Sequence, residues 1–177
     1  MPWIRRLASW ASRWAHSPYF PLAGLVLALG ATLTAIAFVP VLCVLVTARG
    51  ARWGLLVIAC ALGSALGATI LAWIVAEYGP QMIEQWLPRV SHSQAWLNGV
   101  RWVEDFGYLA LFAFAALPLS QTPVLVACAI LGMSLPQIFL AVLAGKLAKY
   151  AISAAATEYA AQRVAALKSN APVNSRR

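Results

Sequence analysis

Acid is scarce in this sequence: five Asp and Glu stand against thirteen Lys and Arg, and charged residues make up only 10% of its 177 positions. A soluble domain carries about a quarter charged residues, so this composition excludes a water-soluble surface. Neither histidine, His16 or His92, has Cys, Asp or His partners at ligand spacing. Cys43, Cys60 and Cys128 sit singly in apolar stretches, with no Cys-x-x-Cys pair. No metal site, redox pair or cofactor is therefore expected, and the cysteines read as small buried apolar residues. No nucleophile and base pair and no phosphate loop is legible either, which argues against an enzyme.

What is abundant is apolar. Hydrophobic residues make up 62% of the chain, and several stretches are long enough to cross about 30 Å of hydrocarbon. The length allows one compact domain, so an all-α integral membrane protein is expected. The net charge of +8 crowds at the ends, as Arg5, Arg6 and Arg13, then Arg163, Lys168, Arg176 and Arg177. Nucleic acid would attract such ends, but in so apolar a chain cationic flanks mark the cytoplasmic side and meet anionic headgroups.

Residues 1–17 place Trp3, Leu7, Trp10 and Trp14 at helical spacing, with arginines elsewhere around the helix. This suits an amphipathic anchor in the membrane interface, and Arg13 and His16 interrupt what would be the core of a signal peptide. Residues 18–168 form the membrane domain, and the basic tail 169–177 is expected to be disordered. The first long apolar stretch, Leu22 to Val46, is broken by Pro40; the second, Trp53 to Ala76, carries Gly63, Ser64 and Gly67, which let another helix approach. From Glu77 to Gly107 the chain is more polar and holds four of the five acids. There Trp96, Val100 and Val103 share a helical face, which fits a helix on the bilayer surface and equally one packed on the bundle.

The third apolar stretch, Tyr108 to Met133, contains Leu117-Pro118-Leu119-Ser120-Gln121-Thr122-Pro123. Two prolines so close cannot sit in one regular helix. The backbone they expose is tolerated at membrane depth only under protein or beside a water-filled cavity, so this stretch is a kinked span or a re-entrant hairpin. Ser134-Leu135-Pro136-Gln137 then opens a fourth helix with a Ser cap, an early Pro and a Gln. It continues through Gly145 and Lys146 to about Leu167.

Charge separates two topologies. Four full spans put Arg49 and Arg52 outside, against the positive-inside tendency. Re-entrant first and third stretches bring those arginines inside with both termini and leave the acid-rich loop outside, which fits better. The chain then consists of two inverted units, each a Pro-broken re-entrant segment followed by a transmembrane helix, as recurs in proteins that move substrates across membranes.

Three stretches carry a resemblance. Gly63-Ser64-Ala65-Leu66-Gly67 leads to Gly79; Glu104-Asp105-Phe106-Gly107-Tyr108 precedes Leu117-Pro118; and Leu131-Gly132-Met133 precedes Gly145-Lys146 and Lys149-Tyr150. In order and spacing, over about residues 30 to 155, they resemble the DedA superfamily, whose module is also called the VTT or SNARE-associated domain, and in particular its short YqaA-type members. The resemblance implies flippase- or scramblase-like movement of phospholipid or polyprenyl phosphate in a cell membrane, with a bacterial inner membrane expected and both termini cytoplasmic. The chain departs from the family pattern where acids are usual, with Val41 and Leu42 after Pro40 and Ala68 in the first span. It departs again where arginines are usual, with Ala116, Ser120, Gln121 and Thr122 around the second break. Proton coupling through membrane acids is therefore not implied.

Within the membrane domain Lys146 is the most informative residue, because an ammonium near the bilayer centre costs at least about 2.5 kcal/mol on insertion scales. It either meets carbonyls freed by the Pro118 to Pro123 break or a lipid phosphate, or it snorkels to the inner surface. Lys149 and Tyr150 share roughly its face; snorkelling and interface anchoring are their plain alternatives. Ser120, Gln121 and Thr122 would offer hydroxyls and an amide to a headgroup, or else only satisfy the broken backbone. Pro40, Pro118 and Pro123 mark the breaks, and Gly63, Gly67 and Gly145 the close packing. The expected partners are lipids with anionic phosphate headgroups, with homo-oligomerisation left open. The competing class is a non-transporting membrane scaffold or assembly factor, and what separates the two is whether the segment after Pro118 lines an open cavity reaching Lys146.

Single cysteines at positions 50 and 95, in a background lacking the native three, test the topology. An impermeant thiol reagent added outside is expected to label position 95 and spare position 50. Labelling of position 50 would establish four full spans instead.

Overall fold

The computed structural model describes residues 17, 19–34, 36–49, 53–79, 94–117 and 121–169. The anchor expected at the N-terminus, the acid-rich loop around Glu84, Pro118, Ser120 and the tail from residue 170 lie outside them. Among the described residues there are seven α-helices and no strand. We number them α1 (Phe20–Leu33), α2 (Val39–Arg49), α3 (Trp53–Tyr78), α4 (Gln94–Phe106), α5 (Tyr108–Ala116), α6 (Thr122–Ile130) and α7 (Leu135–Ser169).

Pro40 and Pro123 are each the second residue of a helix, α2 and α6. The helical breaks therefore lie just before these prolines. Proline belongs in a first turn, where its missing N–H has no intrahelical acceptor to lose. The first break begins where Thr34 turns its backbone N–H and its hydroxyl onto the Gly30 carbonyl, at 3.0 and 2.8 Å. In the second, Leu117 is extended at φ −79°, ψ 159°. Gly107, at φ 55° and ψ −130°, makes the turn between α4 and α5 in a conformation open to glycine alone.

Contacts between named residues give the helix directions. A Cβ on Gly63 would lie 2.1 Å from the Leu25 carbonyl oxygen, and one on Gly67 would lie 2.9 Å from that of Leu29. Thus α1 and α3 run parallel at backbone-to-backbone distance. Trp53 reaches Glu158 while Ser64 reaches Tyr150, so α3 and α7 are antiparallel. Phe38 packs on Tyr150 and Cys43 accepts a hydrogen bond from Thr157, so α2 runs with α7. It follows that α1 and α2 run in opposite directions, with the break between them beside the middle of α7. In the other half a Cβ on Gly145 would meet Ala115 and Phe112, and Lys149 bonds Leu117, so α5 runs with α7.

The pairings are α1 on α3, α5 on α7, α2 on α7, α6 on α3, and α3 on α7. Exchanging α1, α2 and α3 for α5, α6 and α7 leaves these five main pairings unchanged, while the lesser contacts of α5 with α6 and of α2 with α3 have no counterpart of similar extent in the other half. Helix α4 lies against α6 and α5, burying Val103 and setting Trp102 edge-on to Phe114. Two cores form across the α3·α7 pair. One gathers α1, α2 and the first half of α3 around Tyr150; the other gathers α6 with the second half of α3 and the start of α7.

By length and composition α3 and the Leu135–Val164 part of α7 are each able to cross a bilayer. Their outward faces are apolar as well: Leu55, Ile58, Ile70 and Trp73 on α3 and Leu140 and Ile152 on α7 are exposed, as are Leu22 and Val26 on α1. A water-soluble monomer rarely shows so continuous an apolar exterior.

Gly63→Ala tests the α1·α3 contact, since its new methyl would overlap backbone that cannot swing aside. We expect a loss of about 1–3 kcal/mol or more, read as a lower thermal midpoint in detergent micelles. Gly30→Ala, where nothing lies within 4 Å of the added carbon, is expected to hold or gain stability.

Candidate functional site

Two broken helices in an apolar bundle leave carbonyls and N–H groups without helical partners. Here the breaks converge on one cavity of about 540 Å³. The first break supplies Ala31, Thr32 and residues 36–39, the second supplies Ala116, Gln121 and Thr122, and α7 supplies Lys146, Lys149, Tyr150 and Ser153. Five residues expected to meet a headgroup, Lys146, Lys149, Tyr150, Gln121 and Thr122, thus line the same space. Ser120 lies outside the described residues.

The two lysines, one helical turn apart on α7, have different surroundings. Lys149 Nζ donates to the Leu117 carbonyl at 2.7 Å. It therefore caps α5, whose last carbonyls carry the negative end of the helix dipole. Of the two, this is the lysine that meets carbonyls at the second break. Lys146 Nζ stands over the ring of Tyr150, 5.6 Å from its centroid, and among the described residues it has no hydrogen-bond or ion-pair partner. Among the described residues no carboxylate lines the cavity. Glu158, the acid on α7, accepts instead the indole N–H of Trp53, two turns beyond Tyr150.

Tyr150 is fully buried. Its hydroxyl lies 3.3 Å from Ser64 Oγ, and Ser64 Oγ lies 2.7 Å from Thr32 Oγ1. Gln121 and Thr122 are buried at the mouth of α6, and Gln121 Oε1 is enclosed without a hydrogen-bond partner among the described residues. The glycines do the packing: Gly63 and Gly67 admit α1, and Gly145 admits α5, where a Cβ would lie 2.7 Å from the Phe112 carbonyl oxygen.

Sequence reasoning missed the first-unit wall, Thr32 and residues 36–39, and the partner role of Ser64. The signal was present in the spacing. Pro40 and Pro123 stand 83 residues apart and Gly63 and Gly145 stand 82 apart, so the segment before Pro40 matches the one before Pro123 and belongs to the same site.

The unequal partners of the two lysines predict unequal effects on stability. Lys149→Met removes the cap on Leu117 and is expected to cost about 1 kcal/mol. Lys146→Met removes a desolvated charge that has no hydrogen bond and is expected to leave stability unchanged or raised. Thermal unfolding of both variants in the same micelles checks the contrast. Set against protein-family models, curated proteins and solved structures, the chain finds no match, so its chemistry is read from this cavity.

Proposed function

We propose that the chain is an integral membrane protein of DedA type that translocates lipid, passing anionic headgroups through the cavity between two re-entrant hairpins. The observation that carries this reading is the depth of the cavity. The Ser64–Tyr150 contact joins points close to the middle of α3 and of the apolar part of α7. With a bilayer around these helices, both breaks and both lysines lie near its mid-plane, where substrate sites of inverted-repeat transporters are built. The exchangeable helix pairings support two inverted units, and the opposed α1 and α2 support a re-entrant hairpin.

The lining suits an amphiphile. Inside are two ammonium groups, an amide and hydroxyls; at the rim stand Ile36 and Ile152, 64% and 70% exposed. A headgroup fits the interior while its acyl chains stay among lipid beside the two isoleucines. The cations select phosphate, and with no acid among the described lining residues no proton coupling is assigned. A scaffold needs no open cavity reaching Lys146, whereas a translocator does. The natural setting for this activity is a bacterial inner membrane with both termini cytoplasmic, and no covalent chemistry is assigned.

The test is lipid movement in liposomes holding the purified protein, with fluorescent phospholipids and a polyprenyl phosphate as cargo. Lys146→Met is expected to slow anionic cargo about tenfold or more, equivalent to ~1.4 kcal/mol, at equal abundance. Lys146→Arg should keep part of the rate, since charge persists while donor geometry changes. Unchanged movement in Lys146→Met would remove this residue from the mechanism, and a wild-type protein that moves no lipid would refute the reading.

A further inference from the structure

Tyr150 lines the cavity, yet the hydrogen-bond pattern behind it denies it the part of a headgroup donor. Thr32 Oγ1 donates to the Ala28 carbonyl at 2.9 Å. A hydroxyl has one proton, so at the 2.7 Å contact with Ser64 it is Ser64 that donates and Thr32 that accepts. Ser64 has then spent its own proton, and at the 3.3 Å contact it accepts from the Tyr150 hydroxyl. With the Thr32 hydroxyl held on the Ala28 carbonyl, the chain runs Tyr150 to Ser64 to Thr32 to that carbonyl. Every proton in it is engaged within the chain.

What Tyr150 presents to the cavity is its ring. One side of that ring packs against Phe38 at the far end of the first break, with centroids 5.8 Å apart at 55°. The ring also carries Lys146 Nζ 5.6 Å from its centroid, an attraction between a cation and an aromatic quadrupole. The phenol is thereby pinned from α1 through Thr32, from α3 through Ser64 and from the first break through Phe38. Lys146, which has no polar partner among the described residues, rests on the group so pinned.

We propose that Tyr150 is a positioning residue, locked by Ser64 and Thr32, that sets where the Lys146 ammonium stands and so gives the cavity its preference for anionic over neutral amphiphiles. The inference rests on reading the cavity as a lipid site, and it assigns Ser64 and Thr32 a part in selectivity although neither touches the ligand's charge. It also links the halves: the hairpin of the first unit controls the cation of the second.

The experiment titrates the full-length purified protein in micelles with dihexanoyl phosphatidic acid, neutral dihexanoylglycerol and inorganic phosphate, well below the unfolding midpoint of every variant. Thr32→Val keeps the shape but cannot accept from Ser64, and Ser64→Ala cuts the chain in its middle. Ser64→Ala, at a residue outside the cavity lining, is expected to weaken phosphatidic acid binding three- to tenfold and to leave dihexanoylglycerol binding unchanged; Thr32→Val should weaken phosphatidic acid binding by a similar factor, and Thr32→Ser, which keeps the hydroxyl, should bind it like wild type. Equal weakening of both amphiphiles, or of neither, would overturn the positioning role, because a role in packing alone reshapes the cavity for both or leaves it intact. A wild-type protein that does not prefer phosphatidic acid to dihexanoylglycerol would overturn the inference and the proposed function together. Inorganic phosphate is expected to bind more weakly than phosphatidic acid. Binding as tight would make the free ion the ligand and overturn the lipid reading while the positioning role stands.

Discussion

The constraint on which the rest depends is that backbone exposed by a broken helix must find partners where no water is supplied by the surroundings. Both breaks in this chain occur beside the middle of α7, and each is answered differently. At the second, the Leu117 carbonyl takes a charged donor, Lys149. At the first, the chain closes locally, with Thr34 on Gly30 and Ile36 on Ala31. The need to place polar groups at these two points is what opens a polar space in an otherwise apolar bundle. The glycines of α3 and α7 then let α1 and α5 come close enough for the two breaks to share that space.

The two halves are alike in plan and unlike in chemistry. At an offset of 82 residues, Gly63-Ser64 in α3 lines up with Gly145-Lys146 in α7. After the glycine that admits a helix, the first unit carries a small hydroxyl and the second an ammonium. Ser64 is fully buried and hydrogen-bonded to α1 and α7, whereas Lys146 faces the cavity. The first unit is thus a wall and a clamp, and the second carries the charge. Such division follows from electrostatics, because a second unpaired cation at Ser64 would stand in low dielectric close to Lys146 and repel it.

Much of the plan was legible in the sequence, and what was not has physical causes. Two long apolar helices, the breaks near Pro40 and Pro123 and the close approach at Gly63, Gly67 and Gly145 follow from length, the missing proline N–H and the missing glycine Cβ. That α4 packs on the bundle through Val103 was one of two readings its periodicity allowed, and contact alone decided between them. The partners of the lysines were not legible. Lys146 and Lys149 lie one turn apart in near-identical apolar sequence, and only the direction of α5 determines which one reaches Leu117. Nor was the hydroxyl chain legible: Thr32, Ser64 and Tyr150 are far apart in sequence, Thr32 and Ser64 each alone resemble hydroxyls that bond their own helix, as Thr32 also does, and Tyr150 alone resembles an interface anchor.

The unequal pairing of the lysines decides which charge the cavity presents. Lys149 faces the carbonyl end of α5, where the orphan oxygens and the helix dipole return part of its lost hydration. Lys146 has an aromatic face, which offsets less of the cost of desolvation than a hydrogen bond to a carbonyl would. Its remaining compensation must come from what fills the cavity: water when it is empty of ligand, an anion when it is not. An anion brings the larger gain in a low-dielectric space, and displacing ordered water there costs little once the anion takes over its hydrogen bonds. A cation held by a ring, with no carboxylate among the described lining residues, is favoured by a cavity that admits polar matter, and the exposed Ile36 and Ile152 line the cavity that Lys146 faces.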